Sequence, residues 1–150
     1  MRIAFFEPEI AGNVGAVLRL GACLGAPVDL IEPMGFAWDD RRVRRAAMDY
    51  IDHVVVVRHA SFAAFRNAIG DRRLILFTTK SAHSFHDFAF MSDDVLLFGK
   101  ESAGIPADVA AACDTRLRIP MQAQVRSMNL ATSAAIALGE AMRQTATLPI

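Results

Sequence analysis

The stretch Val95-Leu-Leu-Phe-Gly-Lys-Glu-Ser-Ala-Gly-Ile-Pro106 decides the fold class. Four apolar residues run without alternation and stop at Gly99. A strand with one wet face alternates apolar and polar residues, whereas a continuous run is buried on both faces, as in a parallel sheet between helices. Glu101 follows the glycine closely, and Gly104 and Pro106 fix the loop. Glycine at the end of a buried strand lets a ligand approach backbone. The C-terminal ends of strands are where open α/β sheets bind ligands. A plain strand-to-helix turn would tolerate Glu101 without needing it.

The same pattern recurs outward from this stretch. Ile3–Phe6, Val28–Ile31, Val54–Val57, Leu74–Thr78 and Leu117–Ile119 read as further strands. Helices are expected between them. Asn13 caps one from Val14 to Gly25, and Asp39 or Asp40 starts one to Met48. Ser61 caps a short one bearing Phe62, Phe65 and Ile69 on one face. An Ala-rich helix spans Pro106–Cys113, and a long closing helix runs from Asn129 to Gln144. Lys80–Phe90 has no clear period and reads as a loop with room for a turn of helix. The fold class is α/β: a parallel sheet with helices on both faces. No linker, repeat or low-complexity segment divides residues 1–150, so a single domain is expected.

Composition narrows the function. At 53% hydrophobic residues the chain can build a core without disulfides or a structural metal. Mean hydropathy is +0.29, yet no apolar run approaches the ~20 residues a bilayer span needs, and the N-terminus lacks a signal-peptide pattern. A cytoplasmic location is expected, with no membrane partner. Net charge is +0, so bulk electrostatics do not announce nucleic acid. The cluster Arg41, Arg42, Arg44 and Arg45 is a better hint, set against an ordinary solvated helix face.

Several motifs fail. After the first strand, Glu7-Pro-Glu-Ile-Ala-Gly-Asn-Val-Gly15 has glycines in the wrong frame for a dinucleotide site and two acids where phosphate would sit. Gly99-Lys-Glu-Ser102 lacks the upstream glycine of a P-loop, and Glu101 interrupts the Lys-Ser pair. His83 and His86 lack a third ligand, Cys23 and Cys113 match no metal spacing, and no metal is expected. No nucleophile elbow exists.

Two more segments look wrong for packing alone. Asn13-Val-Gly-Ala-Val-Leu-Arg19 opens a helix with small residues and puts one long charge, Arg19, on an otherwise apolar helix. An arginine snorkelling to the surface is the competing account. Arg118-Ile-Pro-Met121 ends a strand at a proline, and a polar loop then leads through Arg126 and Ser127 into Met128-Asn-Leu130. Ser127 can cap the last helix, with Asn129 in its first turn. A plain helix start is an equal alternative.

Taken in order, these segments resemble the three motifs of the SPOUT methyltransferases, specifically the TrmH-like 2′-O-methyltransferases and their small members acting at the tRNA wobble position. The resemblance rests on Glu7-Pro-Glu-Ile10, Ile31-Glu-Pro-Met-Gly-Phe-Ala-Trp-Asp-Asp40, Thr78-Thr-Lys80, Phe98-Gly99, Ile119-Pro-Met121 and Ser127-Met-Asn-Leu130, and covers essentially the whole chain.

The resemblance implies a C-terminal deep trefoil knot, which periodicity cannot show because knots break ordinary connection rules. It implies a homodimer with each active site completed near the subunit interface, and no additional RNA-binding domain. It implies S-adenosylmethionine as cofactor, S-adenosylhomocysteine as product, and a tRNA substrate methylated on the ribose of the wobble cytidine or modified uridine, with leucine tRNAs foremost. Phe77, Thr78, Gly99, Ile119, Met121, Ser127 and Leu130 are the implied cofactor residues. Arg19, Asn13, Glu101, Ser127 and Asn129 are the implied catalytic residues. Arginine stays protonated in proteins, so Arg19 is better suited to hold a phosphate and favour the hydroxyl's ionisation than to abstract a proton. Arg126, Arg41, Arg42 and Arg45 are the expected RNA contacts.

Two departures stand out. Ala11-Gly12 replaces the prolines common after Glu-Pro-Glu-Ile, and Gly139-Glu-Ala141 stands where relatives often carry Tyr-Glu-Ala. The alternatives are methylation of another tRNA or rRNA ribose, and an RNA-binding dimer without catalysis.

Overall fold

A computed structural model describes all residues, 1–150. Six strands are β1 (Arg2–Phe6), β2 (Val28–Ile31), β3 (Val56–His59), β4 (Leu74–Phe77), β5 (Val95–Phe98) and β6 (Thr115–Leu117). Five helices are α1 (Ala11–Leu24), α2 (Asp40–Ala47), α3 (Phe62–Ile69), α4 (Ala107–Ala111) and α5 (Leu130–Gln144). The strands form one sheet in the order β3-β2-β1-β5-β4-β6, and every pairing is parallel.

The continuous apolar runs explain the layering. Strand side chains alternate between faces, so a strand such as Val95-Leu-Leu-Phe98 feeds two cores at once. On one face Ile3, Phe5, Leu30, Leu96 and Phe98 pack with Val17 and Leu18 of α1, Val43 of α2 and Leu138 of α5. On the other, Ala4, Phe6, Leu76 and Leu97 pack with Phe65 and Ile69 of α3 and Val109 of α4. Truncating fully buried Leu97 to alanine removes contacts on this second side, at a cost of about 2–5 kcal/mol. α1 lies against α2 so closely that a Cβ on Gly15 would stand 2.3 Å from the Cβ of Ala46.

α4 is shorter than the expected Pro106–Cys113, and four further differences from the sequence expectation bear on the sheet or the site. α1 begins at Ala11 with Ile10 at its cap, so Asn13 lies inside the first turn and its side chain is free for tertiary contacts. The cap of α5 is Asn129 rather than Ser127, its Oδ1 accepting from the N–H groups of Ala131 and Thr132. β3 is displaced two residues from Val54–Val57: Val55 is 61% exposed, and His59 is buried because Asp29 of β2 supplies a hydrogen-bond partner at 2.8 Å. Asp29 also accepts two hydrogen bonds from Arg2, which makes a buried polar site tolerable. β6 is displaced from Leu117–Ile119 to Thr115–Leu117; it pairs only with β4, and Arg116 is left exposed at that edge. The Lys80–Phe90 segment holds a 3-10 turn at Phe85–Asp87, and another turn at Tyr50–His53 follows α2. No helix is long and apolar enough to cross a membrane.

The topology positions the site. β5 is central, flanked by β1 and β4, and β6 lies beyond β4. The loops after β1, β4 and β5 and the segment after β6 therefore open at the same C-terminal edge.

Candidate active site

The loop after β1 and the loop after β5 are latched by five side-chain hydrogen bonds. Glu101 accepts from the backbone N–H of Glu9 at 2.8 Å and from Asn13 Nδ2 at 3.0 Å. Lys100 Nζ donates to Glu7 at 2.6 Å. Glu9 accepts from the backbone N–H of Ser102 at 2.8 Å and from Ser102 Oγ at 2.7 Å. The two acids that excluded a phosphate-binding turn thus act as fasteners. The Ser102 hydroxyl and N–H hold the Glu9 carboxyl below its ordinary range, and the Glu7 carboxylate holds the Lys100 ammonium above its own.

Lys100 and Gly104 exchange backbone hydrogen bonds at 3.0 and 2.9 Å, folding the second loop back over Gly99. A Cβ on Gly99 would lie 2.6 Å from the Gly104 carbonyl carbon, so no other residue fits without moving backbone. The segment after β6 closes the third side. Asn129 Nδ2 donates to Asn13 Oδ1 at 2.9 Å while its Oδ1 caps α5. The order of donors is dictated: an ionised carboxylate only accepts, so Glu101 fixes the amide of Asn13, and Asn13 fixes that of Asn129.

These loops enclose a cleft of about 680 Å³, within the range usual for small-molecule sites. Its apolar wall includes Leu76, Phe77, Phe98, Ile119 and Leu130, and its polar wall Thr78, Ser127 and Asn129. Glu101 is the one acid lining it, and its partners are uncharged. Lys80 and Arg126 also line it, and neither is engaged by a carboxylate.

The model of the SpoU rRNA Methylase family matches residues 1–139. The chain belongs to that family. The SpoU chain is 49% identical over 148 residues to a tRNA (cytidine(34)-2′-O)-methyltransferase of Beijerinckia indica, covering 97% of this chain and 92% of the relative. A solved structure described as giving insights into the 2-OH methylation of C/U34 on tRNA superposes with a TM-score of 0.90 at 41% identity, covering 95% of this chain and 94% of that one. The SpoU methyltransferase AviRb from Streptomyces viridochromogenes, solved with AdoMet, superposes with a TM-score of 0.82 at 28% identity, covering 96% of this chain and 57% of that one.

Within this SpoU chain the residues expected at the site separate into two groups. Phe77, Thr78, Gly99, Ile119, Met121, Ser127 and Leu130 all line the cleft, as do Asn13, Glu101, Asn129 and Arg126. Arg19 does not. It is exposed on α1, its guanidinium carbon 5.0 Å from the centre of the Tyr50 ring and its Nη1 3.2 Å from Met48 Sδ. Arg41, Arg42 and Arg45 are exposed on α2, away from the cleft. Arg42 stands 3.9 Å from Asp39, and neighbouring Arg44 is paired with Asp52 at 3.2 Å, whereas Arg41 and Arg45 have no acidic partner.

Sequence reasoning gave no role to Ile10, Lys80 or Ser133, which also line the cleft. Thr78-Thr-Lys80 carried a signal in its position directly after a buried strand. Ile10 had a weaker one, a large apolar residue in a polar turn. Ser133, in a run of small helical residues, had none.

Proposed function

We propose that this chain transfers a methyl group from S-adenosylmethionine to the ribose 2′-hydroxyl of nucleotide 34 of tRNA, cytidine or modified uridine, with leucine tRNAs as foremost substrates; the name of its Beijerinckia relative supports the 2′-O-methylation of cytidine 34, and the solved structure concerned with C/U34 supports uridine beside it. One observation carries the reading: three loops distant in sequence converge on one cleft and are tied by the chain Glu101–Asn13–Asn129.

The cleft fits the cofactor. The Gly99 backbone, which lines the cleft with Gly104 packed on it, and the apolar wall of Phe77, Ile119 and Leu130 suit a flat adenine read through backbone groups. Met121 and Thr78 extend that wall. When bound, S-adenosylmethionine supplies an electrophilic methyl group. The residues around it align the ribose hydroxyl and favour the negative charge that grows on its oxygen. Ser127, exposed and lining the cleft, would hydrogen-bond the incoming ribose, and the chain Asn129–Asn13–Glu101 holds the third loop to the first and second. Lys80 and Arg126 supply cations for the RNA backbone.

Arg19 lies outside the cleft of its own chain, which supports a homodimer in which it serves a site completed by a second copy. The segment after β6, which lines the cleft beside the loops after β4 and β5, is read as the part of the chain that would thread a loop to form the trefoil knot, within residues 1–150 taken as one catalytic domain acting in the cytoplasm.

Incubation with unmodified tRNA and methyl-labelled cofactor tests the proposal. Label should enter tRNA and map to the ribose of nucleotide 34. Absence of transfer by folded protein, or label at another nucleotide, would refute it.

A further inference from the structure

Arg19 is held in an unusual way. Arg2, Arg58 and Arg73 each donate to a carboxylate at 2.7 Å, whereas none lies within salt-bridge distance of Arg19. Its guanidinium instead sits over the Tyr50 ring, 5.0 Å from the centroid, and one nitrogen meets the Met48 thioether at 3.2 Å. Tyr50 is the only tyrosine in the chain. It opens the 3-10 turn Tyr50–His53, whose Ile51 packs against the core beneath α1 and α2. Met48 closes α2 with φ 53, a backbone that sharply redirects the chain towards Tyr50.

The chemistry of this cradle differs from that of a salt bridge. A carboxylate would occupy the N–H fork of arginine and cancel its charge. An aromatic face attracts the cation through the ring quadrupole, and a thioether is a weak acceptor. Together they fix the direction of the guanidinium while leaving most of its donors and its full charge available. We propose that Tyr50, with Met48, is a positioning residue that presents Arg19 to an oxyanion of the RNA substrate, a backbone phosphodiester or the ionising ribose hydroxyl. This rests on the reading that Arg19 takes part in methyl transfer.

Single-turnover methylation of unmodified tRNA by Tyr50→Phe, Tyr50→Leu, Arg19→Ala and the Arg19→Ala/Tyr50→Leu double variant tests it. Tyr50→Phe keeps the ring and should stay within about twofold of wild type, while Tyr50→Leu should lose about tenfold in rate. Calorimetric affinity for S-adenosylhomocysteine should be unchanged in both. With Arg19 absent, Tyr50→Leu should alter the residual rate less than about twofold, the signature of two residues acting as a unit. A wild-type rate for Tyr50→Leu, or an equal loss with and without Arg19, overturns the proposal while leaving the Arg19 reading intact. A wild-type rate for Arg19→Ala overturns both. Should Tyr50→Leu fail to fold, side-chain NMR of the wild type decides: Arg19 δ-proton signals, identified by their loss in Arg19→Ala, should lie upfield under the Tyr50 ring. Random-coil positions would overturn the cradle.

Discussion

Asn13 and Asn129, 116 positions apart in the chain, meet amide to amide at 2.9 Å. Through this bond the first turn of α1 and the cap of α5 share one constraint, whose far end is the Glu101 carboxylate. Replacing the Asn13 amide nitrogen by oxygen would put two carboxylates face to face. Asn13→Asp should therefore lower stability by about 1.5–3 kcal/mol, the usual cost of losing a hydrogen bond to a charged group, and reduce methyl transfer at least ~tenfold by loosening the loops. Denaturant melts and tRNA methylation assays on the purified variant check both. Wild-type values would show that the amide chain constrains nothing.

Gly99 lets the second loop fold onto the strand end. A Cβ there would stand 2.6 Å from the Gly104 carbonyl carbon, which is backbone and not the end of a flexible side chain. Gly99→Ala should force the loop outward, with an overpacking cost of about 1–3 kcal/mol. Calorimetric titration with S-adenosylhomocysteine should show affinity reduced by about a hundredfold, because the displaced backbone lines the cleft. Unaltered affinity would place the cofactor elsewhere.

Much of this was legible in the sequence. Val95–Phe98 and its glycine announced both a doubly buried strand and the place where a ligand could sit, because the run and its break are local properties. What escaped was decided by partners distant in sequence. His59 lies beyond the expected strand Val54–Val57 and had no reading in the sequence; only Asp29, 30 positions away, makes its burial acceptable. Asn13 reads as a helix cap because asparagine favours that role, but Glu101 claims its side chain and the helix starts earlier. Arg19 shares a motif with Asn13, yet the turn of α1 carries it to the surface beside Tyr50. A sequence motif gives order along the chain, and here the reach of each side chain was set by which face of the helix it left from.

Glu140 provides a pH test of the last helix. It accepts from Arg143 at 2.8 and 2.9 Å and from Gln144 at 2.9 Å, and these bonds pull its carboxyl down from 4.5 to about 2. Gln144 in turn accepts from the backbone N–H of Phe90 at 3.1 Å, so the cluster ties α5 to the loop before β5. The folded value is depressed, so this contribution is fully present above the unfolded value near 4.5 and is lost as pH falls towards 2. Thermal melts of wild type and Glu140→Gln should differ at neutral pH and converge across that window. A gap that is constant with pH would contradict the assignment.

Arg41 and Arg45 share one side of α2, four residues apart, without acidic partners. As contacts to the RNA backbone they should contribute to the salt dependence of tRNA binding. Arg41→Gln/Arg45→Gln should flatten the slope of log K against log salt by about 1–2, while affinity for S-adenosylhomocysteine stays at the wild-type value. An unchanged slope would remove this face of α2 from the interface.

The central claim concerns one oxygen atom. Two tRNAs that differ only in whether nucleotide 34 carries a 2′-hydroxyl or a 2′-hydrogen would be offered to the protein with labelled cofactor. The hydroxyl-bearing tRNA should take up one methyl group per molecule and the deoxy tRNA none, although both bind. Equal labelling of the two would contradict the account, since the methyl would then be going to some other atom.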